Sequence, residues 1–200
     1  ITVIDCNIYN KDIEESNENQ YINIDIRNVE ELLNLDFSES HVIVLSGLVG
    51  DPITAKYPVI SEDVNKNSLI EFIKKLENYK SLIFISTCSN YGLNDSEDGL
   101  NEDSELNPIS LYSQAKVAVE NFLRNSEKDY TILRFATAFG HSRNMRFDLT
   151  LNEFTAMMFY NKYLEVYDFD TSRPYCHVKD FAKTIESVIN APKELTNREV

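Results

Sequence analysis

Short, continuously apolar runs alternate along this chain with segments of helical periodicity, and this order constrains the fold more than any other feature. Strands are predicted at Ile1–Ile4, Tyr21–Ile26, His41–Leu45, Ser81–Ser86 and Tyr130–Arg134. Helices are predicted at 28–35, 63–76 and 110–126. Apolar strands that alternate with amphipathic helices form parallel sheets covered on both faces. The sequence therefore predicts an α/β protein with a Rossmann-like, doubly wound parallel sheet.

The pattern departs from a complete dinucleotide-binding fold in its first unit. The chain has five glycines but no GxGxxG or GxxGxxG turn, and Ile1–Asp5 already resembles a second strand. We expect the sheet to lack its first βα unit, either because the sequence begins after that unit or because the chain is naturally truncated. Residues 1–140 are thus predicted to form a partial dinucleotide-binding domain.

Beyond Gly140 the alternation becomes looser. Helices are predicted at 149–160 and 179–189, around a short strand at Tyr163–Tyr167. We expect residues 141–200 to begin a smaller substrate-binding lobe, with elements that return to the first domain.

The charge and cysteine content limit the possible partners. The balance of 19 basic and 33 acidic residues gives a net charge of -14, which repels nucleic acids and anionic membrane surfaces. No apolar run approaches the ~20 residues that span a bilayer, and no signal peptide opens the chain. Three separated cysteines without a CxxC pair indicate neither a disulfide framework nor a metal site. We expect a cytoplasmic protein.

Polar or small residues follow three of the predicted strands, and ligands of parallel sheets bind beyond the carboxyl ends of strands. Asp5 can accept hydrogen bonds from ribose hydroxyls or cap a turn. No Arg or Lys lies between Asp5 and Lys11, which favours NAD over NADP if a dinucleotide binds. Residues 46–52 permit close approach of a ligand or form a tight loop. Thr87, in the hydroxyl-rich run 86–92, binds a substrate oxygen or belongs to a turn.

Tyr112 and Lys116 lie four residues apart in the helix predicted at 110–126, and therefore on one helical face. An ammonium beside a tyrosine stabilises the phenolate and lowers the pKa of the phenol, so that it can exchange protons with a substrate hydroxyl. The same spacing is common on amphipathic helices. The pair indicates an acid/base site only if its neighbours support one.

Four sequence blocks together resemble the extended short-chain dehydrogenase/reductases. They are STCSNYG at 86–92, NPISLYSQAK at 107–116, LRFATAFG at 133–140 and RPYCHVKD at 173–180. Their order and spacing are similar to those of the NAD-dependent epimerase/dehydratase family, which modifies nucleotide sugars. The resemblance covers nearly the whole chain, and it implies NAD as the cofactor, a nucleotide-sugar substrate and a homodimer.

The resemblance also implies roles for individual residues. Tyr112 would be the catalytic acid/base, Lys116 would lower its pKa and bind the nicotinamide ribose, and Thr87 would bind the reacting hydroxyl. The implied cofactor contacts are Asp5 at the ribose, Asp25 and Ile26 at the adenine, and Leu45, Ser46, Gly47, Asn65, Ser86 and Phe135 along the dinucleotide. The implied substrate contacts are Thr87, Cys88, Ser89, Thr137, Arg146 and Arg173, with Arg143 as a further candidate for the diphosphate. Thr137 stands where the family frequently has asparagine, and His177 and Asp180 are expected to pack and cap a helix.

The implied reaction begins with oxidation of a sugar hydroxyl, in which Tyr112 takes the proton as hydride passes to NAD. The 4,6-dehydratases of the family carry an Asp-Glu pair where this chain has Cys88 and Ser89, and neither residue readily replaces a carboxylate at neutral pH. We therefore expect 4-epimerisation, or simple oxidation or reduction, in a surface-polysaccharide pathway. The alternatives are a 4,6-dehydratase or reductase of the family and, in another class, a non-catalytic protein that binds NAD or nucleotide sugars.

Overall fold

A computed structural model describes residues 1–8, 19–93, 99–142, 145–167 and 169–200. The chain forms two compact units, which are described separately. The first unit comprises Ile1–Arg134 and Pro192–Val200, and the second comprises Phe135–Ala191. The boundary predicted at residue 140 falls inside the second unit.

The strands of the first unit are rich in β-branched and aromatic residues, which favour pleated, half-buried backbone. They are β1 (Thr2–Asp5), β2 (Gln20–Asn23), β3 (His41–Val44), β4 (Ser81–Thr87) and β5 (Thr131–Phe135). β1 pairs with β2 in parallel, and β3 pairs with β4 in parallel, while β5 lies on the other side of β4. In the described part of the chain β1 and β3 each have one hydrogen-bonded neighbour. This arrangement agrees with the predicted Rossmann-like α/β fold.

The helices of the first unit follow the strands in the predicted order. They are α1 (Val29–Leu33), α2 (Asp51–Lys56), α3 (Pro58–Glu62), α4 (Ser68–Lys75) and α5 (Leu111–Arg124). A π-helical turn, Asp63–Asn67, joins α3 to α4, and a 3₁₀ turn, Cys88–Tyr91, follows β4. The helix predicted at 63–76 thus begins earlier, at Pro58, because proline is favoured in the first turn of a helix.

One hydrophobic core joins both sheets of the first unit to the helices. Leu69, Phe72, Ile73 and Leu76 recur at helical spacing in and just after α4, and all four are buried. They pack in the same cluster as apolar residues from α1, β3, β4, α5 and β5. Ile4 and Ile22 from the first sheet contact this cluster from its margin. The core therefore holds the two sheets and the helices of the first unit together.

The second unit has two strands and two helices among its described residues. They are β6 (Thr137–Phe139), α6 (Thr150–Asn161), β7 (Tyr175–His177) and α7 (Val178–Asn190). β6 and β7 pair in parallel. The His177 Nδ1 atom accepts a hydrogen bond from the Lys179 N–H at 3.1 Å, so His177 caps α7 as predicted.

The prediction of a strand at Tyr163–Tyr167 is wrong, because these residues have no regular secondary structure. Tyr163, Val166 and Tyr167 are exposed, and no described strand pairs with them. A short run of aromatic and β-branched residues forms a strand only where a neighbouring strand and a core are available to pack against.

No helix in the described ranges is both long enough and apolar enough to cross a membrane.

Replacement of Ile73 by alanine tests the core. Ile73 is completely buried, and the adjacent Lys74 is exposed. Ile73→Ala should lower the free energy of unfolding by about 2–5 kcal/mol, because it removes buried carbon and leaves a cavity. Lys74→Ala should change it by less than about 0.5 kcal/mol. Urea unfolding followed by circular dichroism measures both values, and equal effects of the two substitutions would contradict this packing.

Candidate active site

The first turn of α5 is fixed by two serines that precede and enter the helix. The Ser110 Oγ atom accepts a hydrogen bond from the Ser113 N–H, and the Ser113 Oγ atom accepts one from the Ser110 N–H, both at 3.2 Å. This reciprocal capping satisfies two backbone donors that would otherwise be unpaired at the helix start. It sets Tyr112 in the first turn, where the positive end of the helix dipole favours a tyrosinate. The two serines were not predicted, although the spacing of Ser110 and Ser113 signals a cap.

Lys116 lies one turn further along α5, and only 2% of the residue is exposed to solvent. Its ammonium donates a hydrogen bond to the Ile85 carbonyl oxygen at 2.8 Å, near the carboxyl end of β4. The Nζ atom lies 4.7 Å from the centre of the Phe84 ring and 5.8 Å from the centre of the Tyr112 ring. The structure therefore brings the predicted lysine and tyrosine together, with the ammonium held between a strand end and two aromatic faces.

Burial lowers the pKa of Lys116 from 10.5 to about 8, because the charged form loses hydration inside the protein. The negative charge of Glu120, one turn further along α5, acts in the opposite direction and raises this pKa. The ammonium is thus the major form below pH 8. In that form it can stabilise a phenolate at Tyr112.

Thr87 ends β4, two residues after the carbonyl that binds Lys116. The residue is 9% exposed, and its Oγ1 atom accepts a hydrogen bond from the Ser89 N–H at 3.1 Å. Because the oxygen is used as an acceptor, the hydroxyl proton can be donated elsewhere. Cys88 and Ser89 are half-buried in the 3₁₀ turn that follows.

A glycine closes that turn against the chain that leads into α5. Gly92 has φ +69°, and a Cβ atom there would lie 2.1 Å from the Asn107 carbonyl oxygen. The Asn107 N–H donates a hydrogen bond to the Asn90 carbonyl oxygen at 2.9 Å. Only glycine permits both this backbone conformation and this close approach.

A buried polar network, which was not predicted, connects α5 with β4 and β5. The Glu120 carboxylate is completely buried and accepts hydrogen bonds from Ser86 Oγ at 2.5 Å and Asn90 Nδ2 at 2.7 Å. It also forms an ion pair with Arg134 at 2.6 Å. Ser86, predicted as a cofactor contact, therefore directs its hydroxyl into this network. An acidic residue four positions after Lys116 is the sequence signal that points to it.

The two predicted carboxylates of the first sheet lie at or beyond its strand ends. Asp5 is exposed at the end of β1, and its Oδ1 atom accepts a hydrogen bond from the Asn7 N–H at 2.6 Å. Asp25 lies beyond β2 and pairs with Arg27 through two side-chain hydrogen bonds, of 2.6 and 3.0 Å. This hydrogen bonding to Arg27 lowers the pKa of Asp25. Ile26 packs against the core.

Asn65, in the π-helical turn, forms hydrogen bonds with the loop that follows β3. Asn65 is completely buried, with its Oδ1 atom accepting from the Leu48 N–H at 2.7 Å and its Nδ2 atom donating to the Leu48 carbonyl at 2.9 Å. Its side chain therefore fixes the loop and does not line an open surface. Leu45 is 62% exposed at the strand end, and Ser46 and Gly47 are half-buried.

The remaining predicted residues belong to the second unit. Phe135, at the end of β5, stacks on Phe181 with ring centres 4.0 Å apart. Thr137 lies in β6, and its N–H donates to the Pro174 carbonyl at 3.1 Å. Arg146 pairs with Asp148 at 2.5 Å, and Arg173 is exposed before β7. Arg143 lies outside the described residues.

Within the described ranges, no three His, Cys, Asp or Glu side chains come together as a metal site.

Comparison with known proteins identifies the family. The profile of the NAD dependent epimerase/dehydratase family matches residues 1–200. A UDP-glucose 4-epimerase of Lactobacillus helveticus is 30% identical over 97 residues, which are 46% of this chain and 29% of that protein. The match covers 40% or less of the length of each of three curated relatives.

Solved structures share the fold. A UDP-glucose 4-epimerase of Thermotoga maritima, solved with UDP-glucose, has a TM-score of 0.80 at 23% identity, and the match covers 100% of this chain and 67% of that one. TunA, an NAD dependent NDP-hexosamine 5,6-dehydratase of tunicamycin biosynthesis, has a TM-score of 0.79 at 22% identity, with coverage of 100% and 65%. The chain belongs to the NAD dependent epimerase/dehydratase family.

Proposed function

We propose that this chain provides the NAD-binding and catalytic part of a nucleotide-sugar epimerase or oxidoreductase, which acts by hydride transfer at a sugar hydroxyl. The observation that carries the proposal is the buried Lys116 ammonium, held at the end of β4 and 5.8 Å from the ring centre of Tyr112. Thr87 ends the same strand with a hydroxyl proton available for donation. A protein that only binds ligands has no need of these three groups together.

The donor set of the first unit suits NAD. The Lys116 ammonium uses one N–H for the Ile85 carbonyl, and its two others match a vicinal diol such as that of a ribose. The Asp5 carboxylate is exposed at the tip of β1, where it can accept hydrogen bonds from a second ribose. Leu45 offers exposed apolar surface at the end of β3.

The proposed step converts a sugar C–OH group into a ketone. The Tyr112 phenolate takes the hydroxyl proton, and Thr87 donates a hydrogen bond to the same sugar oxygen while the C=O bond forms. The hydride would leave the sugar carbon with the electron pair of the broken C–H bond, and bound NAD would supply its acceptor. In an epimerase the keto sugar then turns, and Tyr112 returns the proton to the oxygen as the other face of the carbon is reduced.

The turn after Thr87 supports epimerisation or simple oxidation over dehydration. Elimination of water needs an additional acid and base beside the reacting sugar. Cys88 and Ser89 occupy the two positions after Thr87, and the turn Cys88–Tyr91 contains no carboxylate. The resemblance of this block and of the residues at 145–149 to bacterial epimerase-like members extends the proposal to surface-polysaccharide sugars made in the cytoplasm. The three cysteines are free thiols, which suits a reducing compartment.

The protein is also proposed to act as a homodimer. Val59 on α3 and Leu111 on α5 are exposed, and these two helices pack against each other. Exposed apolar side chains on adjacent helices favour pairing of two copies. Light scattering after size-exclusion chromatography should give twice the mass of the chain, and a monomer mass would contradict this part of the proposal.

Tyr112→Phe in the full-length protein tests the chemistry. We expect turnover of the nucleotide sugar to fall by about 10²–10⁴-fold, because the acid/base group is removed, while NAD binding is retained. Tyr167→Phe, at an exposed tyrosine that contacts Glu165, should leave turnover unchanged.

Product analysis by NMR separates the possible reactions. UDP-glucose and UDP-glucuronic acid are suitable first substrates, and an epimer is the expected product. A 4-keto-6-deoxy sugar would establish dehydration in its place. NAD binding without a product from any nucleotide sugar would overturn the catalytic proposal and favour the binding protein.

Lys116→Met tests the cost of burying the ammonium. At pH 7 Lys116 is buried in its charged form. A pKa lowered from 10.5 to about 8 means that this burial costs roughly 3 kcal/mol of the free energy of unfolding. Lys116→Met should therefore raise the free energy of unfolding at pH 7 by up to about 3 kcal/mol while abolishing turnover. This difference in the free energy of unfolding between the variant and the wild type should disappear as the pH rises from 8 to 10.5. In that range Lys116 is neutral in the folded protein, while the unfolded lysine still binds a proton. A variant less stable than the wild type at pH 7 would contradict the burial penalty.

A further inference from the structure

Glu120 is a carboxylate without access to water, and the proposed reaction does not use it. Burying a carboxylate costs free energy unless charged and hydrogen-bonding partners surround it. Three groups supply them here, Ser86 Oγ, Asn90 Nδ2 and the Arg134 guanidinium. The partners come from β4, the 3₁₀ turn and β5, so one side chain joins three elements to α5.

Arg134 links the Glu120 carboxylate to Tyr91, the last residue of the 3₁₀ turn. Its Nη1 atom donates hydrogen bonds to the Tyr91 hydroxyl and to the Glu102 carbonyl oxygen, both at 3.0 Å. The guanidinium also lies 5.2 Å from the centre of the Tyr91 ring. Its side chain is only 4% exposed. Glu120 and Arg134 together therefore hold Ser86, two residues before the turn Cys88–Tyr91, and Asn90 and Tyr91 at its end.

Two groups of the proposed site depend on this attachment. Thr87 lies between Ser86 and Asn90, and both of these bond to Glu120. Lys116 lies one turn before Glu120 on α5 and is held by the carbonyl of Ile85, the residue before Ser86. The carboxylate thus sets the distance between the helix that carries Tyr112 and Lys116 and the strand that carries Thr87.

We propose that Glu120 and Arg134 form a positioning pair, which holds the Thr87 hydroxyl and the Lys116 ammonium at their working separation without touching substrate or cofactor. The catalytic consequence rests on the proposed function. The structural consequence, a rigid turn at Cys88–Tyr91, does not. A displacement of about 1 Å in a catalytic group can lower a rate up to about a hundredfold.

The test uses apolar replacement of the whole pair. Removing Glu120 alone would leave Arg134 buried without a counter-charge, whereas Glu120→Met with Arg134→Met keeps the volume and removes both charges. In Glu120→Gln with Arg134→Met, the amide oxygen keeps one acceptor for Ser86 and Asn90. Glu71→Met with Lys75→Met removes an exposed i,i+4 ion pair on α4 and serves as the matched control.

In the full-length protein, we expect the Met/Met variant to lose about ten- to hundredfold in kcat, because Thr87 and Lys116 are no longer held at their working separation. The Gln/Met variant should recover part of this loss, and the exposed control should lose nothing. Urea unfolding establishes that each variant is folded under assay conditions. An unchanged kcat in the folded Met/Met variant would overturn the catalytic part of the inference.

A second measurement is independent of turnover. Cys88 lies in the turn, so the rate at which a thiol reagent modifies it, in a Cys6→Ser and Cys176→Ser background, reports opening of the turn. The Met/Met variant should react about tenfold faster or more, because the turn is no longer held from both sides. Equal rates would overturn the positioning role. If the Met/Met variant is modified faster but the wild-type protein does not turn over any nucleotide sugar, the proposed function alone is contradicted.

Discussion

Two opposite charges buried one helical turn apart on α5 fix how this helix packs on β4 and β5. Neither the Lys116 ammonium nor the Glu120 carboxylate can remain inside the protein without partners. The ammonium takes the carbonyl of Ile85, and the carboxylate takes Ser86 and Arg134. Strands β4 and β5 must therefore lie at fixed positions against α5. The polar interior that the buried Lys116 ammonium requires is the same interior that orders the neighbouring strand ends.

The order of elements could be predicted because it depends on local periodicity. β3, β4 and α5 carry strong apolar patterns, and the structure has each within two residues of its predicted bounds. The helix predicted at 63–76 begins instead at Pro58 and contains a π-helical turn before α4. The failures lie where tertiary context decides. Tyr163–Tyr167 is rich in aromatic and β-branched residues, as strands are, but has no neighbouring strand in the described part of the chain. No helix was predicted at α2, whose first two residues fall in the loop considered at 46–52. Short elements with few apolar residues carry too little pattern to predict.

Sequence spacing could predict that Tyr112 and Lys116 lie on one helical face, and the structure has the Lys116 Nζ atom 5.8 Å from the centre of the Tyr112 ring. Their roles were inferred from the neighbouring sequence blocks and stay a prediction. Glu120 was missed because an acidic residue on a helix is ordinarily exposed, and only the packed structure shows that Arg134 reaches it. For Asn65 the resemblance to the family implied a contact with the dinucleotide. The structure shows that both ends of its amide bond to the Leu48 backbone, a contact that no local sequence pattern signals.

The π-helical turn Asp63–Asn67 has a consequence for the phase of the helix that contains it. A residue advances an α-helix by about 100°, and a π turn accommodates one residue more than an α turn. Ser61 in α3 and Leu69 in α4 are eight residues apart and both are buried. With one residue absorbed by the π turn, they are related like residues seven apart in a regular α-helix, which share one face. The extra residue thus keeps the buried faces of α3 and α4 in line, and the turn that absorbs it is the one that carries Asn65.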